Sequence, residues 1–238
     1  MKIAIIGYGK MGKEIEQIAN DRNHEIVLKI SSKNLSELTT ENLQKADVAI
    51  EVTNPDSAVE NIKKCLLAKT PVTVGTTGWL DRYEEMTSLC KENDTAMLVA
   101  SNFSLGVNIF FKVNKMLANI MNSQADYDCS ITEIHHTHKK DKPSGTAITT
   151  AQGILENLNK KSTWTLDKNN KSDEIYIDAQ REDEVPGTHT VKYESDIDIL
   201  ELSHIAKSRK GFALGAVVAA EYIHNKKGIF TMNDVLNF

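Results

Sequence analysis

The sequence predicts an α/β protein. A Rossmann-like, doubly wound parallel sheet comes first, a smaller α+β domain for substrate binding and oligomerisation follows, and a C-terminal helix returns to the first domain. Three observations support this prediction. Apolar strands alternate with helical patterns in the first half, a glycine-rich turn joins the first strand to the first helix, and later strands follow one another without helices between them. Apolar strands separated by helices are typical of a parallel sheet covered on both faces.

The first domain, residues 1–104, begins with a strand, a turn and a helix. Lys2–Ile6 is a continuous apolar run, and Lys10–Asp21 places Met11, Ile15, Ile18 and Ala19 on one helical face. A second strand, Glu25–Ile30, follows this helix. The remaining predicted elements are strands at 47–53, 71–77 and 95–101 and helices at 54–69 and 80–93.

The second domain, residues 105–207, has a different pattern. A long helix is predicted at 105–122, an alternating strand at 127–138 and a helix at 146–159. Strands at 174–181, 190–194 and 197–205 follow, while the polar, lysine-rich segment 160–173 predicts a surface loop without a function. The apolar helix at 208–225 is expected to pack on the first domain, so that 208–238 completes it.

Charge and cysteine content exclude several classes of protein. Lys and Arg total 28 against 33 Asp and Glu, a net charge of −5, so the one-sided basic surface of a nucleic-acid-binding protein is not expected. Cys65, Cys90 and Cys129 are widely spaced, which indicates neither a disulfide framework nor a structural zinc site. No apolar run approaches the ~20 residues of a membrane span. We expect a cytosolic protein with no nucleic-acid or membrane partner.

The glycine-rich turn predicts a dinucleotide site. Gly7-Tyr8-Gly9-Lys10-Met11-Gly12 has the spacing GxGxxG between a strand and a helix, where backbone amides can approach a pyrophosphate; the alternative is an ordinary strand-to-helix turn. After the second strand, Ser31, Ser32 and Lys33 stand where an NAD-specific site has a carboxylate, which favours NADPH over NADH unless they form only a polar loop. Two further loops are expected at the same edge of the sheet: Gly75-Thr76-Thr77-Gly78 and Ala100-Ser101-Asn102-Phe103.

The segment EIHHTHKKDKPSGTA, residues 133–147, concentrates three histidines beside lysines and a helix start. A metal site is disfavoured: His136 and His138 share one face of the predicted strand, but no cysteine or well-spaced carboxylate completes a ligand set, and His135 points the other way. Solvated histidines at a strand end remain an alternative, particularly for His138. The turn 143–146 with its free amides and hydroxyls favours a carboxylate-binding pocket with a proton donor beside it.

This segment resembles the signature E-x-H-H-x-x-K-x-D-x-P-S-G-T-A of the 4-hydroxy-tetrahydrodipicolinate reductase (dihydrodipicolinate reductase) family. The resemblance extends along nearly the whole chain. The other matching segments, in order, are the glycine turn, GTTG at 75–78, ASNFSLGVN at 100–108, PGTH at 186–189, SHIAKSR at 203–209 and Phe212-Ala213.

The resemblance implies a homotetrameric enzyme of lysine biosynthesis that uses NADPH or NADH to reduce a cyclic imine dicarboxylate to tetrahydrodipicolinate. It implies that His135 is the general acid and that Lys139 assists it. The implied substrate-carboxylate ligands are His136, Ser144, Gly145 and Thr146. The implied cofactor-binding residues are Gly7, Tyr8, Gly9, Lys10, Met11, Gly75, Thr76, Thr77, Ala100, Ser101, Asn102, Phe103, Arg209 and Phe212, to which the residue-based reasoning adds Ser32 and Lys33.

Some features depart from the family pattern. The glycine turn is one residue shorter than in many members, no acidic residue follows the second strand, and residues 181–186 replace a glycine-rich stretch that pairs subunits in relatives. Two alternative functions are a dinucleotide sensor without catalysis and another NAD(P)-dependent reductase or dehydrogenase, such as an aspartate dehydrogenase. The HHxxK and SGT motifs favour the reductase, because a sensor needs no proton donor beside a dicarboxylate site.

Overall fold

Two sheets organise the molecule, each in its own unit. The computed structural model describes residues 1–208 and 210–238, and it divides into a first unit, Met1–Leu105 with Lys210–Phe238, and a second unit, Gly106–Arg209. Arg209, one of the predicted cofactor residues, lies outside the described residues. None of the helices in the described part of the chain is long and apolar enough to cross a membrane.

The first unit contains a six-stranded parallel sheet, which confirms the predicted fold class. Its strand order is β11-β5-β4-β3-β1-β2. The strands are β1 Lys2–Ile6, β2 Glu25–Ile30, β3 Val48–Glu51, β4 Val72–Val74, β5 Ala96–Val99 and β11 Gly228–Phe230. The helices are α1 Lys10–Asp21, α2 Thr40–Leu43, α3 Pro55–Leu67, α4 Tyr83–Glu92, α7 Lys210–Ile223 and α8 Met232–Leu236.

Both faces of this sheet are covered, because its central strands are apolar on both sides. On one face a core that includes Ile62, Leu66 and Trp79 packs under α3 and α4. On the other face α1 and the small residues of α7, among them Ala216 and Ala220, pack against the sheet. The predicted C-terminal helix therefore does return to the first unit.

The strand order places a crevice at the carboxyl ends of β1 and β3. β1 pairs in parallel with β2 on one side and with β3 on the other. The chain leaves β1 toward one edge of the sheet, to β2, and leaves β3 toward the opposite edge, to β4. Ligands of doubly wound sheets bind at this point of reversal. The glycine turn that follows β1 lies at that crevice.

The second unit contains a five-stranded mixed sheet with the order β10-β9-β6-β8-β7. Its strands are β6 Asp128–His135, β7 Thr163–Thr165, β8 Glu174–Arg181, β9 Thr188–Glu194 and β10 Ile199–Ile205, and its helices are α5 Leu105–Met121 and α6 Gly145–Leu155. Alternate residues of β6, β8 and β9 are buried in a core with Phe110, Ala118 and Ile154 of the two helices.

The register of this sheet brings distant polar residues together on one face. Glu133 of β6 is opposite His189 of β9, and His189 is opposite His204 of β10. His135 lies two residues beyond Glu133 and opposite Arg181 of β8. Because residues two apart share a face of a strand, these side chains form one group at the end of β6.

Several elements differ from the sequence-based expectation. The segment 160–173 contains the short strand β7, with Lys161 inside the fold: its Nζ donates to the carbonyls of Ser172 (2.9 Å) and Glu174 (2.8 Å). β6 ends at His135, so His136 and His138 do not share a strand face as predicted. The elements β11 and α8 were not predicted, because three apolar residues and one short turn carry almost no periodic signal.

Candidate active site

The glycine turn is built for the close approach of a ligand. Gly7 has φ +104°, and a Cβ there would lie 2.3 Å from the carbonyl oxygen of Val52, so the turn depends on glycine at this position. At Gly9 a Cβ would meet nothing within 4 Å, and no side chain caps the helix that follows. The amino end of α1 is therefore open to an anion such as a pyrophosphate.

A cavity of about 410 Å³ runs along this crevice. It is lined by Gly7, Tyr8 and Gly9 of the turn and by Ser32 after β2. The hydroxyl of Ser32 and the ammonium of Lys33 have no hydrogen-bond or ion-pair partner among the residues that the structure describes, although Lys33 does not line the cavity itself. Tyr8 donates its hydroxyl hydrogen to Glu16, which also pairs with Lys29.

A second cavity of about 170 Å³ adjoins the first at Val52 and Thr53. It is lined by Met11 of α1 and Phe212 of α7, and by the ends of two loops: Gly75 and Thr76 after β4, and residues 100–103 after β5. The structure thus gathers most predicted cofactor residues of the first unit around two connected cavities. Lys10, Lys33 and Thr77 lie outside both linings.

Glu51 stabilises the loops after β3 and β4 through hydrogen bonds. Sequence reasoning assigned it no role. It is fully buried at the end of β3, where its Oε1 accepts hydrogen bonds from the hydroxyl of Thr53 and from Asn61 (3.3 Å). The amide of Thr53 donates in turn to Oγ1 of Thr76 (2.8 Å), so the loops after β3 and β4 are tied together. Burial raises the pKa of the Glu51 carboxyl.

The second unit holds a buried cluster of ionisable side chains at the end of β6. His135 is 9% exposed, and its Nε2 lies 3.3 Å from Nε2 of His189 and 3.6 Å from Oε2 of Glu133. Glu133 is fully buried and accepts hydrogen bonds from the amide of Ser144 (3.0 and 3.1 Å) and from Arg181 (3.3 Å). We refer to Glu133, His135, Ser144, Arg181 and His189 as the acid cluster.

The environment of the acid cluster sets the charges of its members. Burial, together with the neighbouring His189, lowers the pKa of His135 to about 4. Burial acts to raise the pKa of Glu133, but hydrogen bonds from His189 and Ser144 outweigh it and hold that pKa at about 2. At neutral pH Glu133 is therefore an anion and His135 is neutral. The pKa of His135 lies below the near-neutral value of a solvated imidazole, because the ring is desolvated.

The ring of His135 is open only along one edge. Its Nε2 faces the acid cluster, whereas Nδ1 makes no hydrogen bond to any described residue. Gly187, with φ +151°, lies beside this edge: a Cβ there would come within 2.8 Å of Cε1 and 3.2 Å of Nδ1. Glycine at this position keeps the Nδ1 edge uncovered, so Nδ1 is the nitrogen that can transfer a proton to a ligand.

The start of α6 lies next to the acid cluster. Ser144 is the N-cap of this helix and accepts a hydrogen bond from the amide of Ala147 (3.1 Å), while its Oγ also contacts Nε2 of His189 (3.2 Å). Both polar groups of Ser144 are thus engaged within the protein. Gly145 is exposed, and a Cβ there would meet nothing within 4 Å, so the first turn of α6 can receive an anion.

The remaining predicted site residues lie in the loop between β6 and α6. Nζ of Lys139 pairs with Asp141 at 2.8 Å. The rings of His136 and His138 are 6.3 Å apart, and the side chain of His138 is 80% exposed. Sequence reasoning assigned no role to Glu133, Arg181, Gly187 or His189; the signals available were the spacing of two between Glu133 and His135 and the PGTH turn.

Two family models match the chain. "Dihydrodipicolinate reductase, N-terminus" matches residues 1–103, and "Dihydrodipicolinate reductase, C-terminus" matches residues 106–236. The 4-hydroxy-tetrahydrodipicolinate reductase of Christiangramia forsetii is 53% identical, over 100% of this chain and 98% of that protein. The protein of the same name from Methanocaldococcus jannaschii is 39% identical, over 81% of this chain and 72% of that protein.

A solved structure is also similar over the full length. The dipicolinate-bound dihydrodipicolinate reductase from Paenisporosarcina sp. TG-14 has a TM-score of 0.81 and 25% sequence identity. The match covers 98% of this chain and 98% of that chain.

Proposed function

The chain belongs to the dihydrodipicolinate reductase family, and from that premise we propose that it reduces 4-hydroxy-tetrahydrodipicolinate to tetrahydrodipicolinate with NAD(P)H, in the pathway to diaminopimelate and lysine. One observation carries the proposal to the residues of this chain. His135 contacts a buried carboxylate and a second histidine through Nε2, and its Nδ1 lies beside Gly187, where no side chain covers it. A site of this kind can bind a carboxylate and protonate the molecule that carries it.

His135 is the catalytic residue of the proposed reaction. In the free site it is neutral at pH 7, since its pKa lies near 4. The two negative charges of the substrate stabilise the imidazolium and raise this pKa, so the proton is taken up as the substrate binds. Nδ1 then gives it to the substrate. When bound, the reduced nicotinamide supplies the hydride.

Lys139 assists the proton transfer from His135, and it also binds the substrate with the other residues proposed for the second unit. The first turn of α6 at Gly145 and Thr146 offers the positive end of the helix dipole to one carboxylate. Lys139 and His136 supply further donors from the loop before it. Lys139 is held by Asp141 in the free site, and a substrate carboxylate can replace that partner. Ser144 fixes the helix start.

The proposed cofactor residues line the two cavities of the first unit. The open amino end of α1 fits a pyrophosphate, and the loops after β4 and β5 fit the nicotinamide half. We propose NADPH as the preferred cofactor, because the side chains of Ser32 and Lys33 after β2 have no partner among the described residues and positions 31–33 hold no carboxylate to repel a 2′-phosphate.

Replacing Lys33 with Ala is expected to raise the KM for NADPH about tenfold and to leave the KM for NADH within about twofold, because only NADPH has a 2′-phosphate for the ammonium to bind. Steady-state kinetics with both cofactors test this. Lys45→Ala is the matched control, because Lys45 is an exposed lysine that follows α2 and not β2. An equal rise for both cofactors removes Lys33 from the 2′-phosphate site.

Replacing Gly9 with Ala is expected to weaken dinucleotide binding at least about tenfold while the melting temperature stays within about 2 °C, because the methyl group extends into space that only a ligand needs. Gly7→Ala is the contrasting variant: its Cβ collides with the carbonyl of Val52, so it should lower the melting temperature as well. Calorimetric titration and thermal unfolding separate the two effects. Unchanged binding in Gly9→Ala contradicts the proposed pyrophosphate position.

We also propose that the second unit forms the subunit contacts of a homotetramer. β10 is an edge strand, and Ile199, Leu200 and Ile205 are 54%, 43% and 66% exposed. An apolar edge strand is commonly covered by another chain. The mass of the protein in solution, measured by light scattering, tests this assignment.

The three cysteines are buried and unpaired, which supports a reducing, cytoplasmic location.

The proposed function is tested by a coupled assay. The unstable substrate is made in situ by the preceding synthase, and the loss of reduced-cofactor absorbance is followed with NADPH and NADH in parallel. Oxidation that depends on the synthase product is expected, and it is faster with NADPH. If the protein binds a reduced dinucleotide but oxidises neither, the dinucleotide sensor or another substrate becomes the better interpretation.

A further inference from the structure

His189 is buried, polar and placed behind the catalytic histidine rather than beside the open edge. It is 4% exposed, and the hydrogen-bonding contacts of its ring all involve Nε2: Ser144 Oγ at 3.2 Å and His135 Nε2 at 3.3 Å, with Glu133 Oε2 at 3.7 Å. Its Nδ1 is buried and has no hydrogen-bond partner in the part of the chain that the structure describes. A buried polar atom without a partner costs stability, so a histidine at this position requires an explanation beyond packing.

The three central groups lie close enough together to share a proton. The Nε2 atoms of His135 and His189 face each other at hydrogen-bonding distance, and Oε2 of Glu133 lies 3.6 and 3.7 Å from them. A proton on Nε2 of either ring is therefore almost equally far from the carboxylate of Glu133. Two neutral imidazoles can form only one hydrogen bond between these atoms, so the nitrogens must be in a donor and acceptor relation.

The charged groups on the neighbouring elements are already paired with one another. Arg181 of β8 balances Glu133, Lys139 lies in the loop after β6 and pairs with Asp141, and His204 of β10 is opposite His189 but makes no hydrogen bond to it. A proton added to the two histidines therefore has no counterion until an anionic substrate arrives. The substrate supplies the negative charge that holds one extra proton on the pair.

We propose that His135 and His189 act as a two-histidine acid: His189 is a positioning residue that shares a proton with His135 and passes it across as His135 protonates the substrate. The inference rests on the proposed function. In the loaded pair one proton lies between the Nε2 atoms, and each Nδ1 carries its own.

At the transfer, the Nδ1–H bond of His135 breaks and a C–H bond forms on the substrate. The shared proton moves fully to Nε2 of His135. Both rings end neutral, and the positive charge lost by the pair cancels the negative charge that the hydride brought to the substrate. A solvent proton then reloads the exposed Nδ1 of His135.

This arrangement explains the presence of His189 and of the buried Glu133, neither of which a lone general acid needs. Without His189, His135 alone would have to carry the whole positive charge that is taken up with the substrate, and burial opposes a charge on this ring. With His189, that charge is shared by both rings, and the shared proton reaches Nε2 of His135 as Nδ1 gives up its own. The buried Glu133 stabilises the charged pair and fixes both rings, in the way that a carboxylate orients a catalytic histidine.

The test is a proton inventory on single turnovers, with rates measured in mixtures of H₂O and D₂O after the substrate has been made in situ. Two protons move together in the proposed step, so the rate of the unmodified protein should fall along a curve as the deuterium fraction rises. His189→Gln keeps an amide near the Nε2 position but cannot pass a proton. We expect its kcat to fall roughly ten- to hundredfold, its KM to stay within about threefold, and its inventory to become linear.

His204→Gln is the matched control, because it makes the same change one strand further along the same row. It should keep a curved inventory and a kcat within about twofold. A linear inventory in the unmodified protein, or a curved one in His189→Gln, overturns the shared proton. An equal loss in His204→Gln and His189→Gln assigns His189 to packing alone. If the unmodified protein shows no turnover with the synthase product, the proposed function itself has failed.

Discussion

His135→Gln is expected to lower kcat by roughly 10²–10⁴-fold with a much smaller change in KM, because losing a general acid removes an interaction made in the transition state. The amide of Gln can occupy the same space and contact the same neighbours, but its protons are not acidic enough to be transferred to the substrate. Steady-state kinetics with the synthase-coupled substrate measure both constants.

The control for His135→Gln is the same substitution at His138, a few residues further along. That side chain is 80% exposed and lies outside the acid cluster, so His138→Gln should retain normal turnover. Near-normal turnover in His135→Gln contradicts its role as the acid. A fall in both variants would instead indicate that the segment as a whole has been disturbed.

Glu133→Ala is expected to lower the free energy of unfolding by about 3–5 kcal/mol, the cost of breaking a buried ion pair and leaving its partners unsatisfied. Glu133 is fully buried, and its removal leaves Arg181 and the amide of Ser144 without their carboxylate partner. Urea unfolding followed by tryptophan fluorescence measures the change. Glu156→Ala is the control, because its exposed pair with Lys115 should contribute less than about 1 kcal/mol.

The effect of Glu133 also depends on pH in a defined direction. The folded protein holds the pKa of this carboxyl at about 2, below its ordinary value of 4.5. A lowered pKa stabilises the fold above the unfolded-state value, and the contribution is lost as the pH falls through the folded-state value. The stability gap between the unmodified protein and Glu133→Ala should therefore be full above about pH 5 and should shrink toward pH 2. A gap that does not change with pH would show that the carboxylate acts only through packing.

The sequence predicts the first unit well because its signals are local. Apolar strands and the GxGxxG turn each lie within a few consecutive residues, and β1, α1 and β2 begin and end where the pattern predicts. β7 was missed because it sits inside a lysine-rich segment, where the burial of Lys161 depends on two backbone carbonyls that no composition reveals.

The candidate site was only partly predictable for a related reason. His135, Lys139 and the helix start at Gly145 lie in one continuous segment and could be identified from it. His189 is 54 residues from His135 along the chain, and only the pairing of β6 with β9 brings them together. The lowered pKa of His135 follows from that pairing and from burial, and the residues next to His135 in the sequence predict neither.

The order in which the chain is synthesised matters for the first unit, because its two parts lie at opposite ends of the sequence. β11 pairs with β5, and α7 supplies Ala213, Val217 and Ile223 to a core shared with β1 and α1. While the ribosome is still making residues 210–238, one apolar sheet face of the first unit is covered by α1 but not by α7. The second unit is continuous in the chain and can fold earlier. A nascent chain stalled before Lys210 is thus an aggregation-prone species, and a chaperone that shields apolar surface would engage it at this sheet face.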